Sequence, residues 1–208
     1  MRSAISVFVF LGVTLSGTFS RAVEQPKYQV IERYKNIEVR DYPQMIVAEV
    51  NVTGDRNAAI QKGFRLIANY IFGNNSTSQN TEATSIVTHK EGEKIAMTAP
   101  VTQQSEGDGW RVQFIMPANY TLETLPNPNA PEVALKRVHA GRRAVIGFSG
   151  LAGDESLIRH TAELNSFISA TGLKVTSKPT YAFYNPPWTL PFLRHNEIMI
   201  DVEIKDNK

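Results

Sequence analysis

The chain has 208 residues, with 22 Lys and Arg against 20 Asp and Glu, 42% hydrophobic residues and no cysteine. That length suits one domain with a sizeable core, and the missing thiols exclude disulfides, thiolate metal sites and cysteine nucleophiles. With acids and bases nearly balanced and no Lys/Arg run, the sequence carries no electrostatic footprint for nucleic acid or an anionic membrane surface.

Taken in chain order, Arg2, the apolar run Ala4 to Leu15 and the small residues at Ser20 and Ala22 predict a signal peptide over residues 1–22, cut after Ala22. The run is short of the roughly 20 apolar residues that span a bilayer, and Gly12, Ser16 and Gly17 dilute it. No later stretch is long and apolar enough to span. The expectation is an exported protein, periplasmic or secreted, whose residues 23–208 form one domain. Removing the leader removes Arg2 and Arg21 and no acid, so 22 basic residues become 20 against 20 acidic ones. Four Asn-x-Ser/Thr patterns, at Asn51, Asn74, Asn75 and Asn119, matter only in a eukaryotic secretory pathway.

Tyr28 to Tyr34 and Ile37 to Tyr42 read as strands around a Lys35-Asn36 turn, and Met45 to Val52 as a third after Pro43. A helix follows, capped by Thr53 or Asp55, with Ile60, Phe64, Ile67 and Ile71 at helical spacing and Gly73 as its stop. Asn74 to Glu93 is polar and reads as a long loop. In the next stretch Ile95, Met97, Ala99 and Val101 alternate with Ala96, Thr98, Pro100 and Thr102, the pattern of a half-buried strand with Pro100 at an edge or bulge. Trp110, Val112, Phe114 and Met116 mark another strand.

The order then recurs: strand Val133 to His139, strand Arg143 to Ser149, helix Asp154 to Thr171, strand Thr180 to Tyr184 and strand Glu197 to Ile204. Asp154 reads as the cap of that helix, Gly172 as its stop, and Leu157, Ile158, Leu164, Phe167 and Ile168 as its apolar stripe. The reading is an α+β fold in which two similar halves share one antiparallel sheet, curved or nearly closed in a distorted barrel-like form, with two helices packed on it.

Two blocks point to a family. Lys94-Ile95-Ala96-Met97-Thr98-Ala99-Pro100-Val101 resembles the signature of the SOUL haem-binding proteins, and Tyr184-Asn185-Pro186-Pro187-Trp188 followed by Leu193-Arg194-His195-Asn196-Glu197-Ile198 resembles their C-terminal pattern of Tyr-x-Pro-Pro, a short loop and Arg-Arg-Asn-Glu. Similarity runs from about Tyr28 to about Val202, with His195 standing where the family usually has a second arginine. The resemblance implies the same α+β arrangement and non-covalent, b-type binding of haem or a related porphyrin along the first helix. Contacts there are mainly hydrophobic, and neither block carries an axial ligand. The absence of cysteine independently excludes covalent c-type attachment.

The four histidines, His89, His139, His160 and His195, have neither the i, i+4 nor the i, i+2 spacing of a metal pair. His139 and His160 read as structural or surface residues, and His89 as a loop residue able to swing over a ligand. Gly147-Phe148-Ser149-Gly150 stops one residue short of a nucleophile elbow because Leu151 replaces the last glycine, so no catalytic set is expected.

The expected site lies on the first helix, with Phe64, Ile67 and Ile71 along one stripe, small Ala68 admitting a flat ring, and Lys62 and Arg65 meeting propionates. Met97 is the further candidate on the signature strand; core filling is the alternative for it, as for the stripe. Arg194 either pairs with Glu197 to fix the Pro186-Pro187-Trp188 loop or meets a propionate. The competing function is a binding or effector module for a small hydrophobic ligand without haem, or a weak ligand-processing enzyme.

Overall fold

The computed structural model describes residues 23–76 and 92–204. The leader, His89 and most of the polar loop therefore lie outside the described residues. β1 (Gln29–Tyr34), β2 (Ile37–Tyr42) and β3 (Met45–Thr53) precede helix α1 (Arg56–Ile71), after which come β4 (Asn75–Ser76), β5 (Val101–Glu106), β6 (Gly109–Ile115) and β7 (Asn127–Pro128). β8 (Ala134–Val138) and β9 (Gly141–Phe148) precede α2 (Asp154–Ala170), followed by β10 (Leu173–Val175), β11 (Thr180–Phe183), a 3-10 turn at Pro191–Leu193 and β12 (Asn196–Ile204).

Ten strands form one antiparallel sheet in the order β1-β2-β9-β12-β11-β5-β6-β3-β8, with β10 added beside β12. β1 and β8 end the path without pairing to each other, so the sheet is open and does not close into the barrel-like form expected. The repeat is real: β2-β3-α1-β5-β6 matches β8-β9-α2-β11-β12 in order, and the halves meet at β5 and β11. The first strand of each half has crossed over, β2 onto β9 and β8 onto β3. Each half thus lacks a strand that the other supplies, and the halves interlock in one sheet.

Register shows that both helices cover one face. Directly opposed residues share a face, and Val112 opposes Gln103, Gln103 opposes Tyr181, and Tyr181 opposes Ile198. Val112 packs in one core with Ala48, Val50 and Phe114 of the sheet and Ala59, Ile67, Tyr70 and Ile71 of α1. Ile198 packs in the other with Ala144, Ile146 and Ile200 and with Leu157, Leu164 and Ile168 of α2. The opposite, helix-free face carries Glu38, Arg40 and Tyr42 of β2, Val145 and Gly147 of β9, and Glu197 and Met199 of β12.

Asp55 caps α1, its carboxylate accepting from Asn57 N and Ala58 N at 3.0 Å each. α2 departs from expectation. Its cap is Gly153, and Asp154 is the first helical residue, its carboxylate taken up instead by Arg56 Nε at 2.9 Å, so the two helix starts are tied together. Ile158, expected in the α2 stripe, is exposed. Asn75 is buried, with its amide bonded to the carbonyls of Tyr70 and Glu93, which removes it as a glycosylation acceptor in the folded chain.

The signature stretch is the main correction. Residues 92–100 form no regular strand; β5 begins only at Val101. Ile95 is buried and its amide bonds Ile71 O at 2.8 Å, but Met97 is 45% exposed and Thr98 is buried, so the alternation breaks there. The cause is hydrogen bonding. Thr98 Oγ1 donates to Ile115 O, and Ala99 N donates to Glu24 O at 2.8 Å, which turns the Thr98 hydroxyl inward. The Ala99-Pro100 peptide is cis.

α1 approaches β6 closely at Gly63, where a Cβ would lie 2.7 Å from Val112 Cγ2 and 2.8 Å from Val112 Cβ. Gly63→Ala is therefore expected to lower stability by about 1–3 kcal/mol in urea denaturation, although alanine is the better helix former. Combined with Val112→Ala, the loss should be less than the sum of the two single changes; simple additivity would show that the contact does not govern helix placement.

Candidate functional site

The predicted helix stripe divides. Ile67 and Ile71 are core residues against the sheet, and neither lines a slot. Phe64 is 42% exposed at the margin of that core, Ala68 is half-buried one turn on, and Phe72 follows at 56% exposure. Positions 64, 68 and 72 recur every four residues, so they form a single apolar edge beside the buried face. Phe72 escaped the sequence reading because it directly follows the last helical residue, although its spacing from Phe64 was available. Arg65 flanks this edge, and Lys62 lies farther round the helix. Both are exposed and without ion-pair partners among the described residues. Met97 is exposed on the segment that bonds the end of α1, so it does not fill the core.

Arg194 neither pairs with Glu197 nor stands free for a propionate. Its Nε donates to Thr189 O at 2.8 Å and its Nη2 to Pro187 O, so it fixes the 186–194 loop through backbone carbonyls. His195 N donates to Asn185 Oδ1 at 2.6 Å, and Gly150 N donates to Pro191 O at 3.0 Å, which ties this loop to the end of β9. The held loop exposes Trp188, Leu190, Phe192 and Leu193, with Leu151 exposed across the tie.

Glu197 has other partners. It is 2% exposed on the helix-free face. Its Oε1 accepts from Arg40 Nη2 at 2.9 Å and faces His195 Nε2 at 3.1 Å, while its Oε2 accepts from Tyr184 OH at 2.5 Å. Arg40 is itself buried; its Nε reaches Glu38 at 2.6 Å, its Nη1 reaches Tyr42 OH at 3.1 Å, and its guanidinium lies 4.2 Å from the Tyr28 ring centre. Burial alone would raise the Glu197 pKa, but the donors His195, Arg40 and Tyr184 more than offset it and hold the carboxyl below its ordinary 4.5. Burial likewise lowers the Arg40 pKa, and Glu197 outweighs it, so the pair is ionised. Burial, with the Glu197 charge added, raises the Tyr184 phenol well above its usual range.

This network floors an open cleft of about 360 Å³ lined by Lys35, Asn36, Glu38, Arg40, Gly147, Phe148, Ser149, His195 and Glu197. His195 is half exposed there. A larger groove of about 530 Å³ at the other end of β9 contains the paired Asp41 and Arg142. His160 stacks on Phe148 with ring centres 4.1 Å apart and bonds Ser156 O at 2.7 Å; His139 is exposed. Among the described residues no group of three or more His, Asp or Glu is arranged to hold a metal ion.

Breaking a buried, hydrogen-bonded ion pair from one side costs about 3–5 kcal/mol, so Arg40→Ala should lose that much in chemical denaturation. The acid limb of stability also reports Glu197. Because its folded pKa is depressed, its contribution is complete above the unfolded value of 4.5 and is lost as pH falls through the folded one. Glu197→Gln should be less stable near neutral pH and should flatten this limb. An unchanged acid titration would remove the pair from the stability of the fold.

The SOUL heme-binding protein family model matches residues 23–201. No curated protein matches the chain. Among solved structures, the EcmrR C-terminal domain superposes with a TM-score of 0.56 at 14% identity, covering 86% of this chain and 99% of that one. A hydrolase from Listeria innocua superposes with a TM-score of 0.53 at 16% identity, covering 83% and 94%. At such identities these likenesses show the shared fold alone. The family match covers most of the chain and contains both sequence blocks, one holding Met97 and the other Arg194 and Glu197: the protein belongs to the SOUL haem-binding family.

Proposed function

We propose that the protein binds haem or a related porphyrin non-covalently, with the ring against the outer edge of α1. The observation that carries this reading is the exposed apolar line Phe64, Ala68, Phe72 in a SOUL family member. A flat macrocycle needs an apolar surface with a few polar groups at its rim. Phe64 and Phe72 supply ring contacts, Ala68 leaves room for close approach, and Arg65, with Lys62 farther round, meets the propionates. Met97 is exposed two residues after Ile95, whose amide bonds the end of the same helix, and is the further contact. Ile67 and Ile71 act from beneath, as the core on which the edge rests. Binding is of the b-type because the chain has no cysteine for covalent attachment. The leader over residues 1–22 directs the protein to the periplasm or the exterior.

Titrating the purified protein with hemin should give a saturable shift of the Soret band and quenching of Trp110 and Trp188. Phe64→Ala should weaken hemin binding about 10-fold, equivalent to about 1.4 kcal/mol. Its stability cost should fall below the roughly 3–5 kcal/mol of a core phenylalanine. Unchanged affinity in the folded variant would move the ring off α1, and no Soret shift in the wild type would end the haem reading. In thermal-shift measurements, porphyrins should raise the melting temperature more than cationic drugs or esters do.

A further inference from the structure

We propose that the cleft on the helix-free face is a second site, one that hydrolyses a carboxylic ester with an apolar acyl or alcohol group, using Ser149 as nucleophile and His195 as base. The ladder pairs Phe148 with Asn196 and Gly147 with Glu197. Ser149 follows Phe148 and His195 precedes Asn196, so the two residues face each other where the strands end, and both line the cleft. Glu197 lies two residues beyond His195 on the same face. The sequence separates Ser149 from His195 by a whole helix and two strands, so their meeting arises only from the pairing of β9 with β12.

The histidine is arranged as a base. One ring nitrogen, Nε2, is directed at a carboxylate that is almost fully buried and held by Arg40 and Tyr184. Its other nitrogen, Nδ1, has no hydrogen-bond partner among the described residues, nor has the Ser149 hydroxyl. A nucleophile, a base and a third group orienting the base constitute the general pattern of covalent hydrolysis. No hydrogen bond joins Ser149 to His195, and such contacts are commonly loose until substrate closes them. Glu197, Arg40 and Tyr184 are positioning residues.

The substrate class is drawn from the loop tied to Gly150, the residue after the serine; its exposed side chains border the cleft's neighbourhood and do not line the cleft itself. The Gly150–Pro191 and Asn196–Gly150 bonds hold the 186–194 loop next to Ser149. That loop shows Trp188, Leu190, Phe192 and Leu193 to solvent, and Leu151 adds to them. A backbone fixed by this many bonds, yet displaying large apolar side chains, fits a surface that an apolar group covers. In the reaction the Ser149 Oγ–H proton passes to His195 Nδ1 as Oγ bonds the ester carbonyl carbon. The carbon–alkoxy bond then breaks, and the same proton leaves with the alcohol. Water, deprotonated by His195, attacks the acyl-serine; the Oγ–acyl bond breaks, the proton returns to Ser149, and the carboxylic acid departs.

The test uses the full mature chain with a fluorophosphonate probe and p-nitrophenyl butyrate. Mass spectrometry should place the phosphonyl adduct on Ser149, and Ser149→Ala should abolish both adduct and ester turnover. His195→Gln, checked for folding by its thermal melt, should slow labelling roughly 10²-fold or more, the usual contribution of a general base. Wild-type protein that stays unlabelled, an adduct on another residue, or His195→Gln labelling at the wild-type rate would each overturn the proposal. Hemin titration of the same samples reports the α1 edge separately, so either site can fail alone.

Discussion

The Arg40–Glu197 pair connects residues 157 apart in sequence and spans three neighbouring strands, β2, β9 and β12. β2 belongs to the first half and the other two to the second, so the bond lies across the exchange that interlocks them. Two charges this deeply buried are tolerable only when nearly every donor and acceptor has a partner. The surrounding arrangement meets that demand: Glu38, Tyr42, Tyr184 and His195 each complete the pair, and Tyr28 covers the guanidinium. Exposed pairs such as Arg137–Glu123 are screened by solvent and contribute far less.

The two faces of the sheet divide the work. The helix-bearing face is apolar, with both cores assembled from alternate strand residues and one stripe from each helix. The other face is polar at one end, where charge, phenol and imidazole converge on a cleft. The exposed apolar line of α1 therefore lies on one side of the sheet, and the buried charge, phenol and imidazole lie on the reverse side.

α1 shows how little separates core from surface on an amphipathic helix. Ile67 and Phe64 are three residues apart, yet the first is enclosed and the second is nearly half exposed. The close approach at Gly63 sets which arc of the helix meets β6, and Phe64, next in sequence but about 100° further round, falls at its margin.

The sequence alone determined the α+β class, the repeated strand and helix order, both helices to within a few residues and the family, because periodicity, caps and short motifs are local properties. It could not determine that the sheet stays open or that the first strands exchange, since strand pairing depends on contacts far apart in the chain. Alternation puts Met97 on the buried face with Ile95, and it is exposed instead, because a two-residue period assumes a regular ladder. Thr98 instead bonds Ile115 O, seventeen residues away, and turns the pattern over. Arg194 and Glu197 sit in one motif, which favoured pairing them, but the loop carbonyls claimed the arginine while Arg40 of a distant strand claimed the glutamate. The cleft was invisible for the same reason: Ser149 lies outside the block that holds His195 and Glu197, and only the register of β9 against β12 brings the three together.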